Sequence, residues 1–179
     1  VVYDGRIIGE GYHHRCGEPH AEVNAIASVQ NPELLRHATL YVNLEPCSHY
    51  GKTPPCAKLI IEKKIPRVVV GMGDPNERVN GRGIAMLREA GVEVVTPVLE
   101  NECRQLNRRF VTFHTQHRPY VILKWAQTAD GFIDVARTDN HTPPLRISNN
   151  ITKTLNHQMR TEEAAILVGT NTALLDNPH

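Results

Sequence analysis

The sequence has no excess of charge of one sign and no long apolar segment. Its 179 residues contain 20 Lys and Arg against 19 Asp and Glu, so the formal net charge is +1 with His neutral. Nucleic acids and anionic membranes attract proteins with a strongly basic surface, and the balanced charge argues against both partners. No apolar run approaches the roughly 20 residues that a membrane-spanning helix needs. The composition therefore predicts a globular protein of the cytoplasm.

Cysteine is scarce, with four residues in the chain. A moderately charged chain with few cysteines, two of them placed like metal ligands, suits a reducing compartment better than a disulfide-bonded secreted domain. An initial Met is also missing. We therefore expect the sequence to be a fragment whose first domain lacks its N-terminus.

Four residues carry the chemistry that stands out in this chain, namely His20, Glu22, Cys47 and Cys56. One imidazole and two thiolates supply three zinc ligands and leave a fourth tetrahedral position open, as in catalytic zinc sites. Glu22 is free to act as acid and base. Each ligand alone is weak support, since buried cysteines are more often small hydrophobic residues. Together, His-Ala-Glu followed by Pro-Cys and a second cysteine form the pattern of zinc nucleobase deaminases.

Helix geometry limits where these residues can lie. Positions i and i+2 point to nearly opposite sides of a helix, so His20 and Glu22 can share one site only at a helix start. Pro19 precedes His20, and Pro55 precedes Cys56, which predicts that each ligand begins a helix. The partial positive charge at a helix N-terminus also favours a thiolate at Cys56.

The rest of the first two-thirds of the chain alternates between apolar strand patterns and helical patterns. This alternation predicts a layered α/β domain with a largely parallel sheet, in which ligands bind at the carboxyl ends of the strands. The loops that contain Cys47 and Asn76 both follow such strands. The Asp4-Gly5 pair between the first two strands predicts a hairpin with a type I′ turn. The predicted strands are 1–3, 6–8, 39–43, 67–72 and 92–95, and the predicted helices are 20–29, 55–64, 83–90 and 100–113.

A second pattern begins after a polar, proline-ended linker at 114–119. It predicts strands at 120–126 and 165–169 and a helix at 149–161. These elements are too few to close a core by themselves. We therefore expect two domains, 1–116 and 117–179, the second one incomplete.

The motifs resemble those of the bifunctional deaminase/reductase family of riboflavin biosynthesis. Eight residues separate Cys47 from Cys56, whereas most pyrimidine and tRNA deaminases carry Cys-x-x-Cys, and the intervening Gly-Lys-Thr-Pro-Pro is typical of that family. The resemblance covers essentially the whole chain. It rests on the segments 20–25 and 45–56, and also on 74–76, 81–83, 124–126, 130–131, 169–172 and 176–178.

This resemblance implies both the folds and the activity. The first domain would be a cytidine-deaminase-like α/β/α layered sheet, and the second the start of a dihydrofolate-reductase-like α/β domain. The first would use one Zn²⁺ to deaminate 2,5-diamino-6-(5-phosphoribosylamino)pyrimidin-4(3H)-one. The second would use NADPH to reduce the ribosyl group to ribityl. A small-molecule partner follows, and a homo-oligomer is compatible with this class.

The resemblance also implies binding residues. In the first domain these are His13, Lys52 and Asn76 for the substrate, with Glu22 as the catalytic residue. On the residues alone, Lys52 is equally a solvated loop lysine, and Asn76 has an alternative role in a turn after Pro75.

In the second domain the resemblance assigns Arg160 to the substrate phosphate. It assigns Ala126, Thr172 and Asp176 to the NADPH cofactor. Amides near Thr172 could face a phosphate at a strand-to-helix turn, although an ordinary helix cap explains the spacing equally well.

Two other functions remain open at this point. One is a zinc deaminase of another nucleotide or of a tRNA base, against which the long loop between the cysteines and the lack of a basic stripe both argue. The other is a non-catalytic binding domain stabilised by zinc. Glu22 beside an open fourth position argues against the binding domain.

Overall fold

The chain forms two compact units, Val1–Tyr120 and Val121–His179. The computed structural model describes residues 1–51, 54–77 and 79–176. Over these residues, no helix is both long and apolar enough to cross a membrane.

A five-stranded sheet forms the centre of the first unit, in the order β2-β1-β3-β4-β5. Three neighbouring strands, β3 to β5, run parallel, and β1 pairs antiparallel with both β2 and β3. The predicted layered α/β domain with a largely parallel sheet is therefore confirmed. The strands are β1 Val2–Tyr3, β2 Arg6–Ile7, β3 Thr39–Leu44, β4 Arg67–Met72 and β5 Glu93–Val95.

The first two strands form the predicted hairpin. Asp4 and Gly5 at its turn have φ of 48° and 70°. Two successive positive φ values define a type I′ turn, whose twist matches that of paired antiparallel strands. This hairpin continues the sheet on the side of β3 away from β4.

Helices cover the sheet on both faces. Val68 and Val70 of β4 are fully buried in a core with residues of the helices α1 Ala21–Ala27, α2 Cys56–Glu62 and α3 Arg82–Glu89. Side chains alternate between the faces of a strand, so Gly71 points the other way. There the sulfur of Cys103, in α4 Glu100–Leu106, lies 2.3 Å from where a Gly71 Cβ would be.

The prediction of a single helix over 100–113 is wrong, because the structure has two helices there. The chain forms α4 and then a second helix, α5 Arg108–Gln116, with Asn107 between them at φ −94° and ψ 17°. The Asn107 side chain donates a hydrogen bond to the carbonyl oxygen of Cys103 at 2.9 Å. Such local side-chain bonds compete with regular helix geometry.

A 3₁₀ helix over Pro32–His37 was not predicted. Its first turn is capped by Asn31, whose side chain accepts the N–H of Glu33 at 3.2 Å. Proline is favoured at the first helical position because it has no N–H to satisfy there. The Asn31-Pro32 pair therefore begins a new element, separate from α1, which ends at Ala27.

Within its described residues, 121–176, the second unit contains two helices, α6 Asn150–Thr161 and α7 Thr170–Asp176. The helix predicted at 149–161 is confirmed. The strands predicted at 120–126 and 165–169 are wrong, because no strand is assigned within 121–176. A strand needs a paired neighbour for its backbone groups, and here the apolar side chains lie open, with Leu123 79% and Leu167 99% exposed.

The start of α3 packs directly on the loop that follows β3. A Cβ on Gly83 would lie 1.9 Å from the carbonyl oxygen of Pro46 and 3.1 Å from its carbon. These are backbone atoms, which cannot rotate away as the end of a flexible side chain can. Glycine at 83 therefore permits the close approach of the two segments.

We predict that Gly83→Ala lowers the free energy of unfolding by about 1–3 kcal/mol, the usual cost of overpacking a well-packed site. Urea unfolding followed by circular dichroism measures the change. Gly73→Ala is the matched control, since a Cβ there meets its nearest atom at 3.9 Å. An equal loss in both variants would contradict the role given to the contact with Pro46.

Candidate metal centre

Three side chains converge at the carboxyl end of β3. The Nδ1 atom of His20 lies 3.6 Å from the Sγ of Cys47 and 3.4 Å from the Sγ of Cys56. All three ligand atoms lie within 4.8 Å of one another. A tetrahedral zinc with Zn–S of about 2.3 Å and Zn–N of about 2.0–2.1 Å separates sulfur from nitrogen by about 3.5 Å. The distances in the structure therefore fit a shared zinc ion.

The predicted helix starts deliver two of these ligands. His20 has extended backbone geometry immediately before α1, and Cys56 is the first residue of α2. Cys47 comes from the loop after β3, and its Sγ accepts the N–H of Cys56 at 3.3 Å. Its carbonyl oxygen accepts the N–H of Ala57 at 3.1 Å. The start of α2 therefore holds the Cys47 loop against the site.

Contact between the two thiols moves their pKa values in opposite directions. The pKa of Cys47 falls to about 5, chiefly because the Cys56 thiol donates a hydrogen bond to it, with the Cys56 N–H and His20 adding to the effect. The pKa of Cys56 rises well above its usual range because its proton is held in that bond and because it is buried. A zinc ion binds thiolates, so it competes with this shared proton.

The Glu22 carboxyl group lies beside the three ligands. Burial, the largest cause, raises the pKa of Glu22, and the nearby Cys47 raises it further. Its own backbone N–H and a hydrogen bond with the Cys56 side chain lower the pKa in part. The buried Glu22 carboxyl group therefore holds a proton more readily than an exposed one.

A cavity of about 300 Å³ opens at the metal-ligand group. His13 is part of its wall, and its ring meets the His20 ring edge-on at 5.3 Å. The His13 Nδ1 lies 3.1 Å from the carbonyl oxygen of Pro19. This carbonyl can only accept, so Nδ1 carries the proton and Nε2 is left as the second polar atom of the ring.

Cys16 and His49 are among the residues of the cavity wall for which the sequence predicted no role. His49 follows Cys47 by two residues, within the loop that joins the two cysteines. That position was a usable signal, because a short loop between two ligands must lie near the metal. Cys16 is in the polar loop before α1, where no pattern indicates a direction.

Asn76 lies on the loop after β4, which is parallel to β3 and adjacent to it. Leu44 and Met72 are paired at the ends of these strands, so the Cys47 and Asn76 loops leave the same edge of the sheet. The backbone N–H of Asn76 donates to Asp74 Oδ1 at 2.8 Å. Lys52, the other predicted substrate residue, lies outside the described residues, as do Asn177 and Pro178.

In the second unit the structure gives Asp176 a partner that the sequence did not indicate. The Arg137 guanidinium lies 2.6 Å from Asp176 Oδ1 and 2.6 Å from Asp134 Oδ2, and its side chain is 5% exposed. Residues 134 and 176 are far apart in the chain, so no local spacing predicts this cluster.

The remaining predicted residues of this unit lie on separate elements. Thr172 is in the first turn of α7, and Arg160 is exposed in the last turn of α6. Ala126 is half-buried in the segment before them. Their assignment to cofactor or substrate stays a prediction.

Comparison with known proteins matches both parts of the chain. Residues 1–72 match the family described as the cytidine and deoxycytidylate deaminase zinc-binding region. Residues 119–179 match the RibD C-terminal domain. The matched range contains the three ligands and the acidic residue that the structure brings together, namely His20, Glu22, Cys47 and Cys56.

Similar proteins match over the whole chain. The riboflavin biosynthesis protein RibD of Aquifex aeolicus is 47% identical over 179 residues, which are 100% of this chain and 49% of that protein. RibD of Escherichia coli K12 is 40% identical, over 99% of this chain and 47% of its own. The chain therefore spans about half the length of these relatives.

A solved structure agrees in fold. It is a diaminohydroxyphosphoribosylaminopyrimidine deaminase/5-amino-6-(5-phosphoribosylamino)uracil reductase from Thermotoga maritima, with a TM-score of 0.87 and 46% identity. The match covers 99% of this chain and 49% of that one.

The fold and the His-Cys-Cys centre define the first unit as a zinc-binding domain of the cytidine-deaminase class. The matches along the whole chain place it, more narrowly, in the RibD family of riboflavin biosynthesis. The family resemblance and the cytidine-deaminase-like fold expected from the sequence are both confirmed.

We predict that Cys47→Ser, Cys56→Ser and His20→Ala each abolish stoichiometric zinc binding, because two remaining ligands hold the ion poorly. The zinc content of purified protein, measured by mass spectrometry after dialysis, is the readout. Cys103→Ser is the matched control, since its sulfur faces the carbonyl oxygen of Val98 instead. Retention of zinc by all three ligand variants would rule out this centre.

Proposed function

We propose that the first unit is a hydrolytic deaminase acting on 2,5-diamino-6-(5-phosphoribosylamino)pyrimidin-4(3H)-one. The observation that carries this proposal is a three-ligand centre with an acidic side chain beside it, at the wall of a cavity. A purely structural zinc site would use four protein ligands. The family match and the long loop between the cysteines indicate this substrate in preference to cytidine.

Each side chain at the centre has a separate chemical role. His20, Cys47 and Cys56 would hold the ion, which supplies Lewis-acid chemistry and brings the pKa of water towards about 7. Glu22 takes a proton from the attacking water and passes it to the ring nitrogen or to the departing amine. Water and the aminopyrimidine thus become the carbonyl product and ammonia, and Glu22 returns to its starting state.

Substrate binding falls to residues around the cavity. His13, with Nδ1 bonded to the Pro19 carbonyl, has Nε2 available for a polar group of the pyrimidine. Asn76 contacts the pyrimidine or its ribose from the neighbouring loop. Lys52 contributes the cation that a 5′-phosphate needs. These three assignments are proposals that the resemblance supports.

We infer that residues 117–179 begin an NADPH-dependent reductase domain that reduces the ribosyl group to ribityl, following a deaminase domain at 1–116. Ala126, Thr172 and Asp176 would contact NADPH, and Arg160 the substrate phosphate. The match to the RibD C-terminal domain supports this arrangement. The ion pair with Arg137 holds the Asp176 carboxylate in one orientation, which suits a fixed contact to a cofactor.

We predict that Glu22→Gln reduces the rate of ammonia release by about 10²–10⁴-fold, the usual contribution of a general acid–base residue. An amide cannot take the proton of water, whereas the three zinc ligands are unaffected, so zinc content stays unchanged. Glu33→Gln, on the 3₁₀ helix, is the matched control and keeps full activity. Unchanged turnover in Glu22→Gln would contradict the role assigned to this carboxyl group.

The substrate is tested by a panel on zinc-loaded protein. We expect ammonia release from the pyrimidinone ribosylamine 5′-phosphate and none from cytidine or deoxycytidylate. Turnover of a cytosine nucleotide alone would replace the proposed substrate. No turnover of any of the three, with zinc bound, would favour a non-catalytic binding domain.

A further inference from the structure

The Glu45 carboxylate is buried, and backbone N–H groups hold it in place. It is 3% exposed, and both of its oxygens accept backbone N–H groups. Oε2 accepts from Asp74 at 3.2 Å and Gly81 at 2.9 Å. Oε1 accepts from Gly83 at 2.9 Å and Ile84 at 3.2 Å. Four donors to one carboxylate form a preorganised clamp, since hydrogen bonds to a charged acceptor are the stronger kind.

The position of Glu45 in the chain shows which two loops this clamp connects. Glu45 is two residues before the ligand Cys47, and its own N–H donates to the carbonyl oxygen of Met72, at the end of β4, at 3.0 Å. Its carboxylate holds both ends of the segment 74–81. The loop that carries Asn76 is therefore fixed to the loop that carries a zinc ligand.

The start of α3 makes the connection rigid. Gly83 and Ile84 are in the first turn of α3, where free N–H groups and the helix dipole both favour a carboxylate. Gly83 also packs against the carbonyl of Pro46 without room for a Cβ. The residue between Glu45 and Cys47 is thus in direct contact with the helix that Glu45 caps.

We propose that Glu45 is a positioning residue, which sets the place of Asn76 relative to the zinc ligands and so determines substrate affinity. This inference rests on the proposed function, in which Asn76 contacts the substrate. Glu45 itself touches no reacting atom and acts through the segment 74–81. A purely structural role for the same carboxylate would affect stability without depending on Asn76.

The variant Glu45→Gln tests the clamp at constant volume. Its amide NH₂ would face two backbone N–H groups in place of an acceptor oxygen. We expect amide hydrogen exchange at the two donor residues that face the new NH₂ group to accelerate about tenfold each, as the loss of one bond per donor implies. Zinc content stays the same. KM for the pyrimidinone substrate rises about tenfold, while kcat stays within about twofold.

A double-mutant cycle with Asn76→Ala separates positioning from stability. If Glu45 acts through Asn76, adding Glu45→Gln to Asn76→Ala raises KM by less than about twofold, because coupled residues are not additive. Val92→Ala, a core variant in the segment before β5, is the control for general destabilisation and leaves KM unchanged. Should Glu45→Gln not fold, Glu45→Asp keeps the charge, shortens the reach and carries the same expectations.

The outcomes are distinct. Faster exchange together with a rise in KM that disappears in the Asn76→Ala background supports the proposal. An unchanged KM, or a rise of equal size with and without Asn76, overturns it. If the native chain releases no ammonia from the pyrimidinone, the proposed function fails. In that case exchange at the two amides that face the new NH₂ group still tests the clamp, and an unchanged rate there overturns it independently.

Discussion

Parallel pairing of β3 with β4 is the constraint on which the candidate centre depends. Because the two strands run in the same direction and end in register at Leu44 and Met72, their following loops leave one edge of the sheet together. The first loop carries Cys47 and the second carries Asn76. Antiparallel pairing would have placed the two loops at opposite edges, about the full length of a six-residue strand apart.

Helix starts bring the remaining ligands to this edge. A helix N-terminus offers unpaired N–H groups, and the structure uses them in two ways. The start of α2 donates to the Cys47 sulfur and stabilises its thiolate. The start of α3 donates to Glu45, which keeps the neighbouring loop in place. The same physical property thus serves an ion-binding sulfur in one case and a buried carboxylate in the other.

Much of the first unit followed from local patterns. The hairpin at Asp4-Gly5, the apolar strand Arg67–Met72 and the proline-started helix at Cys56 were all predicted, because each has a turn residue or a periodicity within a few positions. The break between α4 and α5 at Asn107 was missed, since it depends on the Asn107 side chain donating a hydrogen bond to the carbonyl oxygen of Cys103.

The second unit shows where such patterns fail. An apolar, β-branched run such as 165–169 has strand propensity, but strand formation depends on a neighbour to pair with. Among the described residues of that unit no strand is assigned, and Leu167 lies 99% exposed. The periodic helix Asn150–Thr161 was predicted because all its backbone hydrogen bonds lie within the segment itself.

For this protein the sequence by itself determined the chemistry of the centre: which residues can bind zinc, which can move a proton, and that a proline precedes each of the two ligands that lie at helix starts. These properties depend on residue type and short spacing. Tertiary structure alone decided that Cys16 lines the cavity, that Arg137 joins Asp134 to Asp176, and that Glu45 clamps the segment around Asn76. Those contacts join positions up to 39 residues apart, and no local pattern encodes them, because they exist only once folding has brought distant segments together.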